Sequence, residues 1–213
     1  MSRGIISQID AYIDGVYHED AKKFAFIRRS TEHHDNIQIS PAEGKIISLL
    51  LKLHQAKNVV EIGSFVGYST AWIGEGLPSD GKLISFEMNQ TNWEKAKHNI
   101  SQLSFADKIK LVHAKAEDKL HEHVNKNEVD AFFIDAKKAD YRLYLALCKI
   151  FLRKGGLLIA DNTIISREIS TYADVINKMP EGIKAFNKDL VACSDFTSTI
   201  IKTRSGLTIA IKN

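Results

Sequence analysis

The chain has 213 residues, 44% of them hydrophobic and 26% charged, with a net charge of +3. That length and balance suit one globular domain with a sizeable core and exclude a disordered or fibrous chain. The mild basicity neither requires nor excludes a nucleic-acid partner.

The only cysteines, Cys148 and Cys193, are far apart and lack metal-site spacing, so they read as free thiols of a reducing compartment. The N-terminus reaches Asp10 and Asp14 too soon for a secretory apolar region. Apolar runs such as Ile46-Ile47 and Leu49-Leu50-Leu51 are too short to cross a bilayer. A cytoplasmic protein is expected.

In chain order, residues 3–34 predict helix in two pieces with a break near Val16–Asp20. Ile5, Ile6, Ile9, Tyr12, Ile13 and Val16 follow a 3.6-residue period, and Phe24, Phe26 and Ile27 resume an apolar face. His33 and His34 close the second piece. Adjacent helical residues point apart, so they read as cations at a helix C-terminus rather than a metal pair. Ser40-Pro41-Ala42-Glu43 is a helix start: Ser40 caps, Pro41 takes the first position and Glu43 completes a capping box. Ile46, Ile47, Leu50, Leu51 and Leu53 then offer an apolar face to a sheet.

The stretch Asn58–Trp72, NVVEIGSFVGYSTAW, reads as a buried parallel strand turning into a helix at Gly63 and Gly67. Its spacing is not G-x-G-x-x-G, and no phosphate-cradling lysine follows. The turn therefore suits a nucleoside-type ligand without a pyrophosphate. A second strand, Lys82–Phe86, ends in Glu87, where a carboxylate can accept hydrogen bonds from ribose hydroxyls.

Together these two strings resemble the cofactor motifs of class I S-adenosylmethionine (SAM) methyltransferases. The resemblance places Glu61 as the acid of the first strand and Glu87 as the ribose acid. It implies a cofactor site made by Ile39, Glu61, Gly63, Phe65, Gly67, Tyr68, Ser69, Glu87, Met88, Ala114, Lys115 and Asp135. His113 and Lys115-Ala116 fall where the family lines the adenine. His121 and His123 flank Glu122 on what should be solvated surface.

Further strands are predicted at 58–62, 82–87, 108–113, 128–135 and 156–161, with helices at 67–76, 90–104, 115–125, 139–152 and 166–178. This alternation implies a doubly wound, mostly parallel α/β sheet. Residues 196–203 and 206–212, split by Arg204-Ser205-Gly206, predict a terminal antiparallel hairpin. The expected whole is a seven-stranded Rossmann-like methyltransferase fold with an antiparallel C-terminal strand. It forms a single domain, with residues 1–54 as extra N-terminal helices and 58–213 as the core.

Two predicted strands end in acids: Ala131–Ile134 runs into Asp135, and Leu157–Ala160 into Asp161-Asn162. As parallel neighbours they would bring two carboxylates and an amide oxygen together, a hard donor set suited to Mg²⁺. Each Asp could instead cap the helix that follows its strand. The strings Asp135-Ala136-Lys137-Lys138-Ala139-Asp140-Tyr141 and Asp161-Asn162 resemble the D-x-x-K-x-x-Y and D-N signatures of cation-dependent O-methyltransferases, including the catechol and caffeoyl-CoA enzymes.

That resemblance implies Asp135, Asp161 and Asn162 as metal ligands and Lys138 as catalytic lysine beside Asp135. Tyr141 becomes a wall of the site, and Lys137 should face solvent. The loop Thr163-Ile164-Ile165-Ser166-Arg167 lacks the tryptophan of plant caffeoyl-CoA enzymes, pointing to a small catechol-like acceptor. Alternatives are a hydroxylated uridine in tRNA, with Lys22, Lys23, Arg28 and Arg29 near phosphates, and a non-enzymatic SAM-binding regulator. A homodimer through the N-terminal helices is expected from the same resemblance.

Overall fold

The computed structural model describes residues 12–13, 15–31, 37–164, 177, 179–203 and 205–213. Ile5, Ile6, Ile9, His33, His34, Ile165–Arg167, Arg204 and all but residue 177 of the helix predicted over 166–178 lie outside the described residues.

Parallel strands β1 (Asn58–Ile62), β2 (Lys82–Glu87), β3 (Ile109–His113), β4 (Val129–Ile134) and β5 (Leu152–Ala160) form most of one sheet. The hairpin of β6 (Phe196–Ile201) and β7 (Leu207–Lys212) adds its antiparallel edge. The strand order is β3-β2-β1-β4-β5-β7-β6. The order reverses between β1 and β4, which in an open α/β sheet opens a crevice at the strands' carboxyl ends.

Alternation along the strands feeds two cores. Val60, Ile62, Phe132, Ile134, Leu158 and Ala160 pack on one face. Val59, Ala131, Phe133, Leu157 and Ile159 pack on the other. Both faces are covered, so the central strands read as continuous apolar runs.

On the second face lie α1 (His18–Lys23), α2 (Ala25–Arg29), α3 (Pro41–His54) and α4 (Tyr68–Gly76). The expected break in the N-terminal helix falls at Tyr17, and a second falls at Phe24. Phe24 meets the ring of fully buried Trp72 edge-on at 5.1 Å. Gly44 lets α3 approach that indole, since a Cβ there would overlap it. The capping box at Ser40 and Glu43 forms as predicted. Leu53, however, is 72% exposed, because the helical period points Ile47 and Leu51, not Leu53, at the core.

Beyond β2, α5 (Gln90–Ile100) leads to β3, and a single α-helical turn, α6 (Ala116–Lys119), follows β3. A 3₁₀ turn, Leu120–Glu122, then replaces the helix predicted over 115–125. Only Ala116 and Leu120 are buried there, which anchors one turn and no more. His123 is not simply solvated. Its ring lies 5.8 Å from that of Phe86, and burial followed by the Lys110 charge lowers its pKa.

The first face is closed by α7 (Tyr141–Phe151) and by α8 (Glu181–Ala192), a helix absent from the sequence reading. β5 starts at Leu152 rather than near residue 156, directly after α7 and running on through Gly155-Gly156. Both cysteines are free, Cys148 buried and Cys193 half-buried. No helix among the described residues is long and apolar enough to cross a membrane.

Candidate active site

A cleft of about 770 Å³ opens at the carboxyl ends of β1, β2, β4 and β5. The turn after β1 forms its floor. Gly63 adopts φ 95°, and a Cβ there would strike the carbonyl oxygen of Asp135, so only glycine fits. The N–H groups of Gly63 and Ser64 donate to the Phe86 carbonyl at 2.9 and 3.2 Å. Glu87 clamps the same turn. Its Oε2 accepts from the Phe65 N–H at 2.9 Å and its Oε1 from the Asn89 N–H at 2.8 Å. Each carboxylate oxygen keeps a second acceptor site for a ligand hydroxyl.

Ile39, Gly63, Phe65, Tyr68, Ser69, Glu87, Met88, Ala114, Lys115 and Asp135 all line the cleft. Two residues expected with them do not. Glu61 is fully buried on the second face of β1, where it accepts hydrogen bonds from Ser69 Oγ at 2.5 Å, Thr70 Oγ1 at 2.6 Å and Ser85 Oγ at 2.6 Å. It therefore ties β1 and β2 to α4 from beneath the turn rather than lining the cleft. Burial pushes its pKa up to about 7, with the three hydroxyls pulling it back.

Gly67, at φ 95°, sits at the N-cap of α4 and packs toward Ile100. It shapes the turn without facing the cleft. His113 likewise stacks on Trp93 at 5.5 Å, outside the lining, leaving that wall to Ala114–Glu117.

The far end of the cleft is acidic. Ile134 and Ala160 are register partners, so the next residues, Asp135 and Asp161, stand side by side. The Asp135 N–H continues the ladder to Ile62 at 3.0 Å and the Asp161 N–H to Ile134 at 2.9 Å. Neither acid caps a described helix. Asp161 is 1% exposed and accepts from Ser205 Oγ at 3.2 Å and from Asn162 Nδ2. Asn162 is held at φ 58°, and its Nδ2 also donates to Ser205 Oγ at 3.2 Å. Burial, then the charges of Asp135 and Glu43, push the Asp161 carboxyl well above its ordinary range.

Lys138 reaches into this corner from a 3₁₀ turn, Lys138–Asp140. Its Nζ donates to Asp135 Oδ1 at 2.6 Å and to Tyr141 Oη at 2.8 Å. Tyr141 Oη in turn donates to the Asp161 carbonyl at 2.8 Å. Burial and the two aspartates raise the Tyr141 pKa, so the phenol remains a proton donor. Lys137 points outward, its side chain 68% exposed against 21% for Lys138, as the sequence reading expected.

Sequence reasoning missed several lining residues, among them Glu43, Ser64, Tyr144 and Ser205. Glu43 was visible only as a capping residue. Ser205 reaches the site across more than forty residues, with no local signal.

Among the described residues, no three His, Cys, Asp or Glu side chains form a group that can hold a metal. Asp135, Asp161 and the Asn162 amide oxygen are a set of another kind. They are hard oxygen donors at one corner of the cleft with a lysine beside them, and they suit a divalent ion that keeps water or substrate positions.

The O-methyltransferase family model matches residues 15–213. A catechol O-methyltransferase from Niastella koreensis is 32% identical, covering 99% of this chain and 99% of its own. Caffeoyl-CoA O-methyltransferase 1 from Eucalyptus globulus is 30% identical over 91% of this chain and 83% of its own. The O-methyltransferase TomG from Streptomyces achromogenes, solved in complex with SAM, superposes with a TM-score of 0.80 at 26% identity, covering 100% of this chain and 99% of that one. With the sheet order, the glycine turn and the acid-ended strands described above, these matches place the chain in the O-methyltransferase family, as a SAM-dependent enzyme of the class I fold.

Proposed function

We propose that this enzyme methylates a hydroxyl oxygen of a small catechol-like acceptor, with Asp135, Asp161 and Asn162 holding a divalent cation such as Mg²⁺. The observation that carries this reading is Lys138 Nζ, fixed between Asp135 and Tyr141 at the acidic corner. When bound, SAM supplies an electrophilic sulfonium methyl, and the cation a Lewis acid that favours ionisation of an acceptor hydroxyl.

The chain's own residues do the rest. Glu87 would accept from ribose hydroxyls, and the bare backbone at Gly63 would leave room for the methionine portion. Ala114, Lys115 and Met88, which line the cleft, would border the adenine. Lys138 Nζ takes the acceptor's proton as general base, while Asp135 and Tyr141 fix its position. The cleft walls would hold nucleophile and methyl in line, which removes much of the entropic barrier.

The tRNA alternative is less well supported. Lys22 is paired with Glu19 at 2.6 Å, Lys23 with Glu75, and Arg28 lies over the Tyr68 ring, 5.2 Å from its centroid. A homodimer through the N-terminal helices is proposed from the resemblance, and exposed Tyr12 and Val16 are compatible with it.

The test is labelled SAM offered with Mg²⁺ to a panel of catechols and, separately, to undermodified tRNA. Transfer to a vicinal diol, lost in EDTA and restored by Mg²⁺, is expected. Full activity in EDTA would remove the cation from the proposal, and label in tRNA alone would replace the acceptor.

A further inference from the structure

Glu43 occupies the third position of α3, and its two carboxylate oxygens have different fates. Oε2 accepts the Ser40 N–H at 2.7 Å, while Ser40 Oγ accepts the Glu43 N–H at 3.2 Å, closing the capping box. Oε1 is buried and has no hydrogen-bond partner among the described residues. The residue is only 3% exposed and lines the cleft with Asp135, Asp161 and Asn162. A capping glutamate on an open surface would satisfy both oxygens with water. Here the first turn of the helix faces the catalytic corner instead, and the Glu43 charge is felt by Asp161.

The neighbouring acids indicate what kind of group suits the corner. The cleft lining brings Glu43, Asp135 and Asp161 together with Lys138, whose Nζ lies 2.6 Å from Asp135, while exposed Lys137 turns to Asp140 at 3.5 Å. Burial and the neighbouring acids both disfavour the ionised form of Asp161, holding its carboxyl well above the ordinary range. A divalent cation there would favour the ionised carboxylates and offset their mutual repulsion.

Resting on the cation reading above, we propose that Glu43 helps to hold the divalent ion through a water molecule that accompanies it. Direct ligation does not fit, because no three acidic, His or Cys side chains among the described residues are arranged to share one ion. A magnesium-like ion dehydrates reluctantly and retains waters, and a buried carboxylate oxygen with no other partner is the acceptor such a water needs. The capping residue of α3 thus also acts as a positioning residue of the active site. The competing occupant for Oε1 is the α-ammonium of SAM.

Glu43→Gln separates these roles. Glutamine preserves the capping box and the side-chain volume, and removes only the charge. Mn²⁺ is titrated into wild type and E43Q by electron paramagnetic resonance, without SAM or acceptor. The expected result is a dissociation constant about 10-fold higher in E43Q, the usual size of such an indirect contribution. SAM affinity measured calorimetrically without metal should stay unchanged. Ser40→Ala weakens the same cap but keeps the charge, and should bind Mn²⁺ as wild type does.

Equal Mn²⁺ constants for wild type and E43Q overturn the proposal. So does a weakening in S40A as large as in E43Q, which would assign the effect to helix capping. A loss of SAM affinity in E43Q with unchanged Mn²⁺ binding would give Oε1 to the cofactor's ammonium. Wild type that binds no Mn²⁺ at all would sink the cation reading itself, a result distinct from the others.

Discussion

At the scale of single residues, the two adjacent lysines provide the sharpest contrast. Lys138 Nζ is held by Asp135 and Tyr141, whereas Lys137 is mostly in solvent near Asp140. If Lys138 is the general base, Lys138→Ala should lower kcat by about 10²- to 10⁴-fold, and Lys137→Ala should change it little. Equal effects in a steady-state assay would remove the assignment. Tyr141 supports the lysine from below, so Tyr141→Phe frees Nζ on one side and leaves the Asp161 carbonyl without its donor. A stability loss of about 1–3 kcal/mol by urea denaturation is expected from the unsatisfied buried group, together with a fall in kcat.

The acid–lysine–tyrosine string was legible because its parts are local: a strand end, one 3₁₀ turn and the first residue of a helix. Glu61 was legible as an acid but not in its role. Which face of β1 it occupies, and the hydroxyls of Ser69, Thr70 and Ser85 that meet it there, emerge only when β1, β2 and α4 assemble.

At the scale of elements, the central strands were legible because strands covered on both faces must be written as apolar runs, here Ala131–Ile134, Leu157–Ala160 and, but for Glu61, Val59–Ile62. Helix α8 was not, although Ile183, Phe186 and Leu190 recur at helical spacing and are buried. Its other positions are mostly polar, and only contact with α7 shows which stripe turns inward. The helix matters for the site. Gly182 lies so close to the backbone of Lys138 and Ala139 that a Cβ would collide with both, and Phe186 meets the Tyr141 ring edge-on at 5.4 Å.

Gly182→Ala must therefore push either α8 or the lysine turn aside. The expected outcome is a loss of about 1–3 kcal/mol in stability from overpacking, with a lower kcat and SAM affinity close to wild type. The cofactor end of the cleft, built on β1 and β2, does not touch this helix. Lost SAM binding with unchanged kcat would contradict that division of labour.

At the scale of the molecule, the crossover at β1 and β4 collects Glu87, Asp135 and Asp161 at one rim and leaves Glu61 one layer beneath it. That buried acid makes the stability of the whole fold depend on pH. Burial raises its pKa from an ordinary 4.5 to about 7, outweighing three hydroxyl donors, and the Asp135 charge adds to the rise. Between those values the unfolded chain has released this proton while the folded chain retains it. The folded state then binds more protons, so stability falls as pH rises, and the favourable contribution present below pH 4.5 is gone above pH 7.

The span corresponds to about 3 kcal/mol, or roughly 6–12 °C in melting temperature for a chain of this size. Glu61→Gln keeps a group able to meet the hydroxyls but cannot titrate. Comparing the two proteins cancels the other acids, Asp161 included. Wild type should lose ground to E61Q between pH 4.5 and 7 and then run parallel to it. A constant gap across that range would mean that the three hydroxyls suffice to keep Glu61 ionised, with burial the lesser effect.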